Sequence, residues 1–161
     1  MSYKVKIGVD EKGKDFYLDF DKVQNIILRG TTGSGKSICL HTIIKRLLEQ
    51  DKALELILLD PKTVEFSMYA GLPNIKVFTY KDEKEIIESL NELNARKESL
   101  KKEVFVIIDE LSDFCWSHHR PLDKPLLNLI SNNKNNKVHI LAASQAWWGY
   151  QRLRKAAEQR R

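Results

Sequence analysis

The apolar positions of this chain recur with two different periods. Near the start, "YKVKIGV" (3–9) and "DFYLDF" (15–20) alternate in part between apolar and polar residues, and the turn-like "DEKGK" separates them. That pattern predicts an antiparallel hairpin. "NIILR" (25–29) is a short apolar run and reads as a buried strand. In "KSICLHTIIKRLLEQ" (36–50) the period changes: Ile38, Leu40, Ile43, Ile44, Leu47 and Leu48 recur at helical spacing. "ALELILLD" (53–60), "KVFTY" (76–80), "VFVIIDE" (104–110) and "VHILAAS" (138–144) read as further strands. Between them, "KDEKEIIESLNELNARKESLKK" (81–102) predicts a long amphipathic helix and "PLDKPLLNLISNN" (121–133) a shorter one opened by proline. "AWWGYQRLRKAAEQRR" (146–161) is expected to end the chain as a helix. Strands alternating with helices predict an α/β fold with a mostly parallel central sheet flanked by helices.

Composition narrows the class. A length of 161 residues suggests one domain, with a hairpin over 1–22, a core over 23–146 and a C-terminal tail over 147–161. At 42% hydrophobic and 30% charged, the chain is not of the disordered type. No apolar run approaches the length of a membrane span, and the first residues lack the apolar stretch of a signal peptide. Cys39 and Cys115 form no disulfide or metal pattern, and the expected compartment is the cytoplasm. Cys115 and His118 do share C-x-x-H spacing, but zinc takes about four ligands and no second pair follows. The formal net charge of +5 is concentrated in the tail, whose last eleven residues, "QRLRKAAEQRR", hold five Lys or Arg and one Glu. A basic end suits a polyanion or is simply a solvated helix end.

The chemistry begins at "GTTGSGKS" (30–37), between the strand "NIILR" and the helix that follows. Gly30, Gly35, Lys36 and Ser37 satisfy G-x-x-x-x-G-K-[ST], a phosphate-binding loop. Phosphate oxygens are met there by backbone N–H groups at a helix N-terminus, an approach that side chains would block. The candidate nucleotide-binding residues are Gly30, Thr31, Thr32, Gly33, Ser34, Gly35, Lys36, Ser37 and Ile38. Lys36 reaches the β- and γ-phosphates, and Ser37 places its hydroxyl on Mg²⁺. "VFVIIDE" supplies the second half: Asp109 emerges at the end of a buried strand and would hold Mg²⁺, and Glu110 stands where it can polarise an attacking water. ATP and Mg²⁺ are therefore the expected cofactors.

Four stretches together resemble the FtsK/SpoIIIE/HerA group of ATP-driven DNA translocases: "GTTGSGKS", "LLDPKTVEFSMYAGLPNI", "VFVIIDELSDF" and "VHILAASQ". The group comprises RecA-like P-loop NTPases with an additional strand, and the DNA-packaging ATPases of phages are similar to it. The resemblance covers most of residues 5–146. It implies a motor on double-stranded DNA that works as a homo-oligomeric ring of five or six copies. It places Ser144 and Gln145 at the family's polar sensor of the γ-phosphate, and Lys134, with Lys137 as the alternative, where the family has an arginine finger acting on the neighbouring subunit. Asp60, Pro61, Lys62 and Glu65 match a family segment near the nucleotide edge, with no role assigned.

The chain also departs from the pattern. It lacks the loop-rich stretch between the long helix and the "VFVIIDE" strand, and a sequence-reading module. The candidates for DNA contact are then Lys101, Lys102, Arg120, Arg152, Arg154 and Lys155. Competing readings are a small P-loop kinase, which Glu110 disfavours, and a GTP switch, which should carry an N-K-x-D motif absent here. A non-motor ATPase assembling on DNA or on a protein partner shares every motif with the motor.

Overall fold

The computed structural model describes residues 3–115, 122–131 and 137–145. Strands β1 (Lys4–Val9) and β2 (Asp15–Asp19) pair antiparallel as the expected hairpin, in a small sheet of their own. The main sheet is built from β3 (Asn25–Arg29), β4 (Glu55–Leu59), β5 (Ile75–Phe78), β6 (Val104–Ile108) and β7 (Val138–Ser144). Its order is β3-β7-β6-β4-β5, and every pairing in it is parallel. Helices α1 (Lys36–Gln50), α2 (Glu83–Arg96), α3 (Leu111–Cys115) and α4 (Asp123–Ser131), with 3₁₀ turns at Ser67–Tyr69, Tyr80–Asp82 and Lys97–Ser99, complete the described elements.

Because side chains of a strand alternate between faces, each central strand feeds two cores. On one face Leu56, Leu58, Phe105, Ile107 and Leu141 meet Leu40, Ile43, Ile44 and Leu47 of α1 and Tyr3, Val5 and Phe20 of the hairpin. On the other, Ile57, Leu59, Val106, Ile108 and Ile140 meet Ile86, Leu90 and Leu93 of α2 and Leu126 and Leu129 of α4. The hairpin is tied down by aromatic contacts: Tyr3 and Phe20 meet Phe105 edge-on, and His139 stacks on Phe105 with ring centroids 4.6 Å apart.

Several boundaries differ from the sequence reading for local reasons. The strand expected over 76–80 ends at Phe78 because Thr79 and Asp82 form a capping box, with the Thr79 N–H donating to Asp82 Oδ2 at 2.7 Å. The helix expected over 81–102 is regular only from Glu83 to Arg96 and continues as a 3₁₀ turn over Lys97–Ser99. Lys97 is buried there, and its ammonium donates to the Asn128 carbonyl at 2.7 Å, drawing the chain towards α4 before it enters β6. Burial pushes the Lys97 amine below the usual lysine range. The short helix α3 had no counterpart in the apolar pattern. Of the helix expected over 121–133, α4 occupies Asp123–Ser131; residues 121, 132 and 133 and the tail over 146–161 lie outside the described residues. Among the described residues no helix is long and apolar enough to cross a membrane.

Candidate functional site

In a parallel sheet all strands point their C-terminal ends to one edge. Here four neighbouring strands release their candidate residues side by side: β3 runs into Gly30, β7 into Gln145, β6 into Asp109 and β4 into Asp60. The ladder continues into two of these positions. The Asp109 N–H donates to the Leu59 carbonyl at 3.0 Å, and the Asp60 N–H to the Phe78 carbonyl at 2.8 Å. Both carboxylates therefore stand on fixed backbone.

The loop from Gly30 to Ser37 has the shape its residue types require. A Cβ on Gly30 would lie 2.3 Å from Ser34 Oγ, so a side chain there would force Ser34 to shift. Gly35, at φ 88°, turns the chain into α1 in the left-handed region that side chains disfavour. Lys36 Nζ donates to the carbonyls of Gly30 at 2.9 Å and Thr31 at 3.0 Å. One of its three N–H groups is left for a phosphate oxygen. Ser37 Oγ donates to Asp109 Oδ1 at 3.4 Å, joining the first turn of α1 to the end of β6.

Asp109 and Glu110 are neighbours with opposite electrostatics. Burial raises the Asp109 carboxyl above the usual range, and the charges of Glu65 and Asp60 raise it further. The Ser37 hydroxyl pulls the other way. Burial also pushes Glu110 up, but hydrogen bonds from the Ser112 hydroxyl and from Gln145, with the charge of Lys62, outweigh it and hold Glu110 low. Glu110 adopts φ 60°, unusual for a side chain of its size. Its Oε1 accepts from both the Ser112 hydroxyl and the Gln145 N–H, the latter at 3.0 Å. Neither of these two bonds uses Oε2.

Gln145 is in turn fixed by the loop it would sense, since Thr32 Oγ1 donates to Gln145 Oε1 at 3.0 Å. Sequence reasoning missed Ser112; its one sequence signal is a small polar residue two positions after Glu110. Asp60 serves its own loop: its carboxylate accepts from the N–H groups of Lys62 at 3.1 Å and Phe66 at 2.9 Å.

The residues present suit a divalent cation. A hydroxyl and a carboxylate face each other at Ser37 and Asp109, and the surrounding carboxylates leave an excess of negative charge that a cation would relieve. Among the described residues no three His, Cys, Asp or Glu side chains converge as a closed metal site.

The other candidates lie elsewhere. Lys101 and Lys102 precede β6 at the opposite edge of the sheet, where Lys102 Nζ stands 3.5 Å from Asp51 Oδ2. Lys137 is at that edge too, donating to the Lys101 carbonyl at 2.7 Å. Lys137 is thus remote from the phosphate loop of its own chain. Arg120, Lys134, Arg152, Arg154 and Lys155 lie outside the described residues.

Comparison with known proteins agrees with this geometry. The chain is 28% identical to the DNA translocase FtsK of Helicobacter pylori strain J99, an alignment that covers 86% of this chain and 20% of that protein. It thus spans about a fifth of the length of such relatives. Among solved structures, the pCW3 conjugation coupling protein TcpA with ATPγS superposes with a TM-score of 0.70 at 21% identity, covering 88% of this chain and 48% of that one. The cytoplasmic domain of the Thermomonospora curvata type VII secretion ATPase EccC superposes with a TM-score of 0.77 at 18% identity, covering 98% of this chain and 20% of that one. These likenesses agree with a RecA-like P-loop fold, in which β7 lies between the phosphate-loop strand β3 and the carboxylate strand β6. Residues 1–105 match the profile of the FtsK/SpoIIIE family, and the chain belongs to that family.

Proposed function

We propose that the chain is the ATP-hydrolysing core of a motor that moves double-stranded DNA, in segregation, conjugative transfer or genome packaging. The observation that carries the reading is Glu110, held through Oε1 by Ser112 and Gln145, beside the Ser37–Asp109 pair. Lys36 and the N–H groups of residues 30–38 would hold the phosphates. Glu110 would take the proton of a water attacking the γ-phosphorus as the bond to the β-phosphate oxygen breaks. Mg²⁺, when bound at Ser37 and Asp109, would neutralise charge on the phosphate oxygens. Gln145 touches both the loop, through Thr32, and Glu110, contacts that support its reading as the polar sensor.

A homo-oligomeric ring would complete the site with Lys134 from the adjacent subunit, a lysine keeping the charge of the usual arginine without its forked geometry. Mixing Lys134→Ala and Lys36→Ala chains should then recover activity at interfaces that pair an intact loop with an intact finger. A second structure of EccC, containing its ATPases 2 and 3, is a complex with a signal sequence peptide. That supports a second reading, an ATPase that acts on a protein partner. Measuring the Mg²⁺-dependent ATPase rate with and without double-stranded DNA, on this chain and on a longer form, separates the two. The motor reading expects stimulation by DNA of any sequence that fades steeply with salt, since phosphate contacts dominate such binding. A rate that DNA leaves unchanged in both forms contradicts it.

A further inference from the structure

The chain leaves β6 through a turn that brings two donors onto one oxygen of Glu110. Glu110 takes φ 60°, which bends the backbone directly after Asp109, and the Asp113 N–H donates to the Glu110 carbonyl at 3.1 Å and closes the turn. Helix α3 starts at once, and Leu111 and Phe114 anchor it in the core that also holds Ile108 and Ala142. Ser112 falls between these two anchors in sequence and is itself buried. A hydroxyl has one hydrogen, and that of Ser112 goes to Glu110 Oε1. The second donor to the same oxygen, the Gln145 N–H at 3.0 Å, comes from the end of β7.

The two donors differ in kind. Gln145 offers a main-chain group, which any residue except proline would supply. Ser112 offers a side chain, and only a hydroxyl of that size makes the bond. Helix propensity alone would favour alanine in the same space. A glutamate has three side-chain torsions, and held at one point it keeps several rotamers that place the carboxylate differently. Donors arriving at Oε1 from α3 and from β7, two elements fixed by separate contacts, narrow that choice. We propose that Ser112 is a positioning residue for hydrolysis: its hydroxyl sets the direction from which the Glu110 carboxylate meets the attacking water. The inference rests on the ATPase reading above and adds to it a residue outside the phosphate loop and the carboxylate pair.

The test is single-turnover cleavage of prebound ATP by the whole chain, with ATP affinity titrated beside it. Ser112→Ala should slow cleavage about tenfold and leave ATP affinity at the wild-type value. That is less than the roughly 10²-fold cost of a reacting group misplaced by ~1 Å, because the Gln145 N–H keeps its hold. Ser112→Thr, which restores the hydroxyl, should recover most of the rate. In a Glu110→Gln background, Ser112→Ala should slow the residual cleavage no further, because no base is left to orient. A Ser112→Ala chain that cleaves ATP at the wild-type rate or faster overturns the inference and leaves the ATPase reading intact. A loss that adds in full to that of Glu110→Gln marks a role in folding the edge and overturns it too. A wild-type chain that cleaves no bound ATP overturns the ATPase reading and the inference with it.

Discussion

The two edges of the main sheet are made from the same strands and are built for opposite ends. At the edge opposite the phosphate loop, charged groups are matched. Arg96 pairs with Glu55, Lys102 with Asp51, and Lys137 with the Lys101 carbonyl. Tyr3 donates to Asp51, and burial together with that charge pushes its phenol up to about 12. The hairpin is stapled near the same edge through Phe20, Phe105 and His139. At the phosphate edge the charges of Glu65, Asp60 and Glu110 all push the Asp109 carboxyl up, and Lys36 is turned towards the loop's own carbonyls. A fold at equilibrium does not gather carboxylates without reason. One edge holds the molecule together and the other is arranged for a ligand that brings charge of its own.

That contrast can be broken by substitutions that act on one edge alone. The largest effect is expected from Lys36→Ala, which should weaken ATP binding by about 10²–10³-fold while leaving Tm unchanged, as titration and thermal melts would report. A large fall in Tm would mean that the phosphate edge also carries stability. Acid should act on the other edge. Burial holds the His139 imidazole down at about 4 in the folded chain, against the ordinary 6.5 when unfolded. The unfolded chain therefore gains its proton first. This stability is complete above pH 6.5 and is lost as the pH falls towards 4, by about 3 kcal/mol. Urea melts across that range should show the loss, and His139→Phe, which keeps a ring on Phe105, should flatten it. Thr32→Val removes only the hydroxyl bonded to Gln145 and should cost about 1 kcal/mol in turnover, roughly fivefold, with ATP binding kept. The smallest effect is expected from Lys102→Ala. Its exposed ion pair should leave Tm unchanged, and the salt dependence of DNA binding should drop by about one phosphate contact if this lysine meets DNA. An unchanged salt slope would leave the opposite edge with a stapling role only.

Much of this was legible in the chain because local chemistry and tertiary demand agree there. Helix α1 and strand β7 begin and end where the apolar pattern places them. Gly35 and the loop force the start of α1, and an unbroken apolar run between polar ends defines β7. Ser37 and Asp109 meet in the structure as two motifs that the sequence reads as ligands of one expected cation. What the pattern could not carry depends on packing between distant segments. The end of α2 is set by a buried lysine reaching Asn128, and nothing near Lys97 announces that contact. Ser112 matters because α3 turns its hydroxyl back onto Glu110, and a five-residue helix is too short to show a period. His41 reads as one more position on α1 until the chain brings Glu65 and Tyr69 to it from more than twenty residues away.

Hydrolysis of ATP through Glu110 can be measured in a single turnover of ATP prebound to Glu110→Gln. This variant is expected to bind ATP with wild-type affinity and to cleave it slower by at least about 10²-fold, because Lys36 and the loop are untouched while the water loses its base. Cleavage of the bound ATP at the wild-type rate would contradict that role of Glu110.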